Sequence, residues 1–192
     1  MKRRNFIAAM PVLGLIQKFE GSKGSFPISS NSYNWGTFYG RESKVWGENL
    51  EADMAEYKKT GLQAYEPSLG SAKEATKLIA VLKKYNIKMP SVYIGSFLHE
   101  KDEIEKSIKN ILEIAAVVKN YGTKIIVTNP NPIAWGSDKL KTDEQLILQA
   151  KALEKIGKSL KMNGLKLAYH THDVELKAGA REFHHMLQNT SP

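Results

Sequence analysis

Apolar residues along this chain follow two alternating spacings, one typical of strands and one typical of helices. After Phe26, short runs rich in β-branched and aromatic residues are separated by longer stretches in which apolar residues recur every three or four positions. The pattern predicts a first strand with its loop at 27–35, further strands at 62–66, 87–94, 124–128 and 165–170, and helices at 47–60, 71–85, 99–121, 142–162 and 180–188. Such alternation indicates right-handed βαβ crossovers and hence a parallel sheet.

Local signals support several of these boundaries. Gly61 stands where a glycine commonly ends a helix. Ser71 followed by Glu74 is typical of a capping box, in which the two residues satisfy each other's backbone N–H groups. The uninterrupted apolar run 125–127 favours a strand that is buried on both faces of a parallel sheet.

Two α/β architectures are compatible with this pattern. One is a doubly wound open sheet of five strands. The other is a (β/α)8 TIM-type barrel truncated to about five βα units, because strands about 34 residues apart would require about 300 residues for eight units. The loop at 31–36 contains no glycine-rich phosphate turn of the kind that dinucleotide-binding open sheets carry. Periodicity alone leaves both architectures open.

Composition places the chain among ordinary globular proteins. It has 192 residues, of which 42% are hydrophobic and 25% charged, with 14 Gly, 7 Pro and no Cys. These values exclude disordered, collagen-like and disulfide-stapled classes. The lack of cysteine excludes thiol nucleophiles and thiolate metal sites. No apolar run approaches the roughly 20 residues that a membrane-spanning helix needs, so we expect no stable membrane insertion.

The first 25 residues differ from the rest of the chain. A basic start at 2–4 precedes a mildly apolar stretch, and Arg3-Arg4 followed by 5–7 resembles a twin-arginine export motif. We therefore predict a signal segment at 1–25, a barrel domain at 26–192 and a periplasmic or otherwise exported protein, with a cytoplasmic location if the signal interpretation is wrong. Without this segment the net charge falls from +8 to +4, which predicts a solvated surface rather than a nucleic-acid interface.

The most specific chemical pattern follows the fifth predicted strand, in the segment YHTHDVE at 169–175. Residues two apart on an extended backbone point to the same side, so His170 and His172 should project together. They lie at the carboxyl end of the strand, where parallel α/β sheets place their sites. Two imidazoles and the nearby Glu175 carboxylate suit a divalent cation, with Mn, Mg, Co and Zn all compatible.

Other strand ends supply candidate partners for this site. Glu66 closes the second strand, where a carboxylate can bind a hydroxyl or relay a proton. Asn129 and Trp135 follow the fourth strand and suit a sugar ring, as do Tyr33 and Trp35 after the first. We therefore predict His170, Glu175 and Glu66 as catalytic residues, His170 and His172 as metal ligands, and Tyr33, Trp35, Asn129 and Trp135 as substrate-binding residues.

The segments SNSYNWGTFYGRE, which begins at Ser30, and LAYHTHDVEL, which begins at Leu167, resemble the sugar phosphate isomerase/epimerase family with the xylose isomerase-like barrel. The resemblance in layout extends over about 27–192. It implies a (β/α)8 barrel with a divalent metal at its carboxyl-terminal mouth. It also implies that the remaining metal ligands come from strands six to eight, so that a chain ending at Pro192 holds an incomplete site.

Three functions remain open on this basis. The first is metal-dependent isomerisation or epimerisation of a small-molecule carbohydrate, by proton removal next to a carbonyl through an enediolate. The second is a carbohydrate-binding or vestigial barrel fragment without turnover. The third is a DNA-repair enzyme like endonuclease IV, which the absence of an arginine-rich groove disfavours. We expect a carbohydrate partner and no nucleic acid, and leave homo-oligomerisation open.

Overall fold

The computed structural model describes residues 28–191, in which strands and helices alternate. The strands are β1 (Ser29–Asn31), β2 (Ala64–Glu66), β3 (Ser91–Ser96), β4 (Ile125–Pro130) and β5 (Lys166–Tyr169). The helices are α1 (Ser32–Arg41), α2 (Leu50–Lys59), α3 (Ala72–Tyr85), α4 (Lys101–Lys119), α5 (Asp143–Met162) and α6 (Asp173–Asn189). The predicted export segment at 1–25 lies outside the described residues and stays a prediction.

All five strands are parallel and stand in chain order. β1 pairs with β2, and β3, β4 and β5 pair in sequence. Isolated parallel bridges, Ala64 with Lys88 and Ser68 with Tyr93, link β2 to β3. A doubly wound sheet needs a reversal of strand order, and this run of strands has none. The open-sheet alternative is therefore excluded for the described residues.

Successive helices pack side by side against one face of these strands. α2 contacts α3, α3 contacts α4, α4 contacts α5 and α5 contacts α6. Between the helices and the strands lies a continuous apolar core, to which Met54, Leu82, Val92, Ile111 and Ile156 contribute fully buried side chains. Sequential parallel strands with helices on one side form five βα units of a (β/α)8 barrel. Among residues 28–191, no helix combines the length and apolarity needed to cross a bilayer.

The other face of the strands is the inner face of this partial barrel, and it carries polar residues beside apolar ones such as Val127 and Ala168. The register aligns Ser91 with Ile125 and Lys166. The period of two along each strand then places Tyr93 and Asn129 on this same face. Our expectation that the Ile125 run is buried on both faces was wrong, because Ile125 lies on the inner face and is 36% exposed whereas its neighbour Ile126 is fully buried.

The segment after β1 is helical, not the loop that we predicted. The side chain of Asn31 caps α1 by accepting a hydrogen bond from the Asn34 N–H at 3.4 Å. Trp35 and Tyr39, four residues apart, both pack against Trp46. Sequence periodicity missed the helix because glycines interrupt it and its first turn holds no acidic residue.

Two other boundaries differ from the prediction. β3 begins at Ser91 rather than Ile87, because Pro90 has no N–H group to donate to the neighbouring strand. Pro90 contributes only its carbonyl oxygen, which accepts a hydrogen bond from the Lys124 N–H at 2.9 Å. Ser71 caps α3 as expected. The Glu74 carboxylate, however, accepts from the Gly70 N–H at 2.8 Å, so the predicted capping box is not reciprocal.

Helix α6 begins at Asp173, earlier than the predicted 180, and contains a break. Lys177 is extended, and Ala178, Gly179 and Ala180 all have left-handed φ values of 51°, 69° and 59°. A Cβ atom makes this conformation unfavourable for alanine. The predicted helix 180–188 corresponds to the part that follows the break, and the part before it carries Glu175.

We predict that Ala178→Gly and Ala180→Gly each stabilise the protein by about 0.5–1 kcal/mol, because glycine adopts left-handed φ without the Cβ penalty. The matched control is Ala116→Gly, an exposed position inside the regular helix α4, where glycine should cost about 1 kcal/mol. Urea unfolding measures all three variants. Destabilisation of the same size at 178, 180 and 116 would contradict the break in α6.

Candidate functional site

His170 and His172 lie together at the carboxyl end of β5. The His170 N–H donates to the Thr128 carbonyl oxygen at 2.9 Å, which extends the β4–β5 pairing by one residue. His172 keeps an extended backbone, with φ −116° and ψ −171°, so both side chains leave the chain on the same side. Their ring centroids are 4.6 Å apart and the planes cross at 76°. The structure thus brings together the two residues that the sequence paired.

Glu175 and Asn129 hold the backbone around the two histidines. Asn129 Nδ2 donates to the His170 carbonyl oxygen at 2.9 Å and to Glu175 Oε1 at 3.1 Å. The other carboxylate oxygen, Oε2, accepts from the His172 N–H at 2.5 Å. Both side chains are fully buried. Glu175 and Asn129 therefore fix the strand end, and their predicted catalytic and substrate-binding roles would have to act through that position.

Glu66 lies on the inner face of β2, where it accepts a hydrogen bond from the Ser91 hydroxyl. Its charge is close enough to affect the titration of His170. Tyr93, on the inner face of β3, packs edge-on against His170, with centroids 5.6 Å apart and planes at 88°. Burial, together with the charge of Glu175, raises the pKa of Tyr93 above its usual value. Sequence reasoning missed this tyrosine because its contact with His170 joins residues far apart in the chain, which local spacing does not reveal.

The predicted aromatic residues separate into two groups. Trp135 packs edge-on against His172, with centroids 4.9 Å apart, and is 57% exposed at the mouth. Trp35 instead stacks on Trp46 at 4.7 Å, within the packing of α1. Tyr33 is 78% exposed on α1. Within the described residues no aromatic contact joins Tyr33 or Trp35 to the histidines, so the structure brings only Trp135 to them.

His170 is in an environment that favours the neutral imidazole. Burial lowers the pKa of His170 below its usual value, and the neighbouring His172 lowers it further, while Glu175 and Glu66 partly offset both effects. At neutral pH the His170 ring therefore keeps a free nitrogen lone pair, which is the form that binds a metal or accepts a proton.

A divalent cation fits this end of β5 in part. Buried His172 Nδ1 and Asn129 Oδ1 have no hydrogen-bond partner among the described residues. Two imidazoles and an amide oxygen form a nitrogen and oxygen donor set that suits such ions. Residues 28–191 nevertheless bring no group of three or more His, Asp or Glu side chains into a metal-holding arrangement. The described residues thus offer two imidazoles and one amide oxygen as candidate ligands, whereas the Glu175 carboxylate accepts hydrogen bonds from the His172 N–H and from Asn129.

We predict that Glu175→Gln lowers the free energy of unfolding by about 1–3 kcal/mol. Both carboxylate oxygens of Glu175 accept hydrogen bonds from N–H groups. A glutamine has only one oxygen, so its NH2 group would face one of these donors and that hydrogen bond would be lost. The matched control is Glu66→Gln, which should change stability by no more than about 0.5 kcal/mol because its amide oxygen can still accept from Ser91. Urea unfolding of both variants checks this, and equal losses would contradict the bridging role of Glu175.

Comparison with solved structures places the fold among known barrels. A sugar phosphate isomerase/epimerase from Parabacteroides distasonis matches with a TM-score of 0.64 and 15% identity, over 89% of this chain and 64% of that one. A xylose isomerase-like TIM barrel protein from Mycobacterium smegmatis, solved in complex with magnesium, matches with a TM-score of 0.60 and 12% identity, over 85% and 61% of the two chains. The expected xylose isomerase-like TIM-barrel fold is therefore confirmed.

Comparison by sequence finds relatives that match over a smaller share of both chains than these two solved structures do. An inosose dehydratase from Mesomycoplasma hyopneumoniae strain 7448 is 25% identical over 152 residues, which are 75% of this chain and 50% of that protein. A second strain of that organism, 232, has a protein of the same name with the same identity and coverage. The chain thus spans about half the length of the curated relatives it matches. No protein-family model matches the chain.

Proposed function

We propose that the barrel to which these five βα units belong is a metal-dependent enzyme that isomerises or epimerises a small carbohydrate. The observation that carries the proposal is the paired position of His170 and His172 at the carboxyl end of β5. The neutral state of His170 adds support, since only a neutral imidazole binds a metal or accepts a proton. A solved structure of the same fold is named a sugar phosphate isomerase/epimerase, and relatives by sequence are named inosose dehydratases, which agrees with this chemistry.

In this proposal His170 and His172 hold the cation, with further ligands from the rest of the barrel. A bound cation would act as a Lewis acid on adjacent sugar oxygens and stabilise the enediolate. The Glu66 carboxylate, on the same inner face, binds a substrate hydroxyl or moves the proton next to the carbonyl. Asn129 and Glu175 keep the histidine backbone in place, and Trp135 covers one side of the sugar.

Two alternatives use the same residues differently. A binding module without turnover would hold the sugar at this mouth and release no product. A dehydratase would begin with the same proton removal and then lose a neighbouring hydroxyl, and the similarity to inosose dehydratases favours including it.

The test is solvent exchange by the full-length protein in D2O. With Mn²⁺ present, we expect deuterium to enter the carbon next to the carbonyl of a ketose, an aldose or a ketocyclitol, followed by NMR. Removal of metal with EDTA should abolish exchange, and His170→Asn or His172→Asn should reduce it at least about 100-fold. The matched control is His184→Asn, an exposed histidine on α6.

The outcomes separate the alternatives. Exchange with a new sugar stereoisomer or ketose–aldose conversion supports the proposal, and exchange with water loss indicates dehydration. Tight sugar binding without exchange indicates a binding module. Full exchange after EDTA treatment would contradict the metal role.

We also propose that the protein is exported, on the basis of Arg3-Arg4 and the apolar stretch that follows. Fusion of residues 1–30 to a reporter should deliver it outside the cytoplasm, and Arg3→Lys with Arg4→Lys should block this, since the export receptor reads the arginine pair. Export of the double lysine variant at the original level would contradict a twin-arginine signal.

A further inference from the structure

A buried ion pair joins the irregular segment after β4 to helix α6. Lys141 Nζ lies 2.7 Å from Glu182 Oε1, with side chains only 1% and 11% exposed. Gln149 Nε2 donates to the same oxygen at 2.8 Å, and Lys141 Nζ lies 3.4 Å from the Pro130 carbonyl oxygen. Removing two charges from water offsets much of their attraction, so such a pair contributes little net stability. Its position in the fold suggests a different role.

The ion pair lies between the two pieces of chain that build one side of the mouth. Residues 131–142 contain no helix or strand and carry Trp135. α6 begins directly after the His172 cap; its part before the break carries Glu175, and its part after the break carries Glu182. Trp135 and His172 meet edge-on, although neither belongs to a strand. A fixed distance between the segment and the helix is therefore needed to keep this contact.

Other links between the segment and the helix are exposed or only partly buried. Lys177 Nζ lies 2.8 Å from Asp138 Oδ1, but the Asp138 side chain is fully exposed. Part-buried hydrogen bonds run from Lys177 Nζ to the Ser137 carbonyl oxygen at 3.2 Å and from Arg181 Nη1 to the Lys141 carbonyl oxygen at 2.8 Å. Arg181 also contacts Asp143, the first residue of α5, whose side chain is 80% exposed. Exposed pairs are screened and hold their geometry weakly. Among the links that the described residues make here, the Lys141–Glu182 pair is the one in which both side chains are buried.

We propose that Lys141 and Glu182 are positioning residues, whose buried contact ties segment 131–142 to α6 and so holds Trp135 against His172. The inference rests on the proposed function only in that the site they shape is the proposed metal and sugar site. Neither residue touches the histidines, and both act through the elements that carry the site.

The test replaces both charges with apolar residues of similar size, in Lys141→Met/Glu182→Leu. The substitution leaves no unpaired buried charge, but buried Gln149 Nε2 loses its acceptor, so the melting temperature should fall by about 2–10 °C. Hydrogen exchange of segment 131–142 should become at least about tenfold faster, since its buried anchor is gone. The near-UV circular dichroism signal of Trp135 should be lost; this signal is obtained by subtracting the spectrum of the Trp135→Phe variant. Mn²⁺ affinity should fall about tenfold.

The matched control is Lys155→Met/Glu105→Leu, an exposed pair between α4 and α5 with the same 2.7 Å separation. It should leave segment exchange, the Trp135 signal and Mn²⁺ affinity unchanged. If the buried double variant fails to fold, Lys141→Gln/Glu182→Gln serves instead, because it leaves no buried charge and its amide groups can still hydrogen-bond to each other and to Gln149. Segment exchange at least about threefold faster than wild type is then expected.

A folded double variant with wild-type segment exchange and a wild-type Trp135 signal would overturn the proposal. If wild-type protein binds no Mn²⁺, the proposed metal function fails, whereas the exchange and Trp135 measurements still decide the positioning role. The two failures are thereby distinguishable.

Discussion

Parallel pairing with a side-chain period of two is the constraint on which this structure depends. It sends apolar side chains such as Val92 and Ile126 toward the helices and leaves polar ones such as Tyr93, Asn129 and His170 on the inner face. Because all strands run the same way, their carboxyl ends meet at one edge, and residues far apart in sequence become neighbours there. The site is a consequence of the same register that forms the core.

One buried carboxylate converts this arrangement into a defined strand end. Glu175 accepts from the His172 N–H and from Asn129, and Asn129 in turn donates to the His170 carbonyl oxygen. Strand β5 has ended by this point, so the ladder no longer holds the backbone. The closed set of hydrogen bonds takes over that task and keeps both imidazoles on one side. The site is thus built by backbone positioning as much as by the side chains that face the solvent.

The sequence predicted features that depend on neighbours in the chain. Alternation of βα units and the pairing of His170 with His172 follow from local spacing, and the structure shows both. Features that depend on distant partners were missed or misplaced. Lys141 and Glu182 are 41 residues apart and each looks like a surface charge until the fold buries them together. Trp35 was expected at the site, but its helical spacing with Tyr39 directs it to the packing of α1 instead.

The functional account depends on whether the two imidazoles serve as ligands. Crystals of the full-length protein grown with Mn²⁺ and measured at the manganese absorption edge provide the most direct measurement. If both histidines are ligands, an anomalous difference peak lies within coordination distance, about 2.1–2.3 Å, of a ring nitrogen of both His170 and His172. A manganese peak bound elsewhere on the protein, with no density between these two rings, would contradict it.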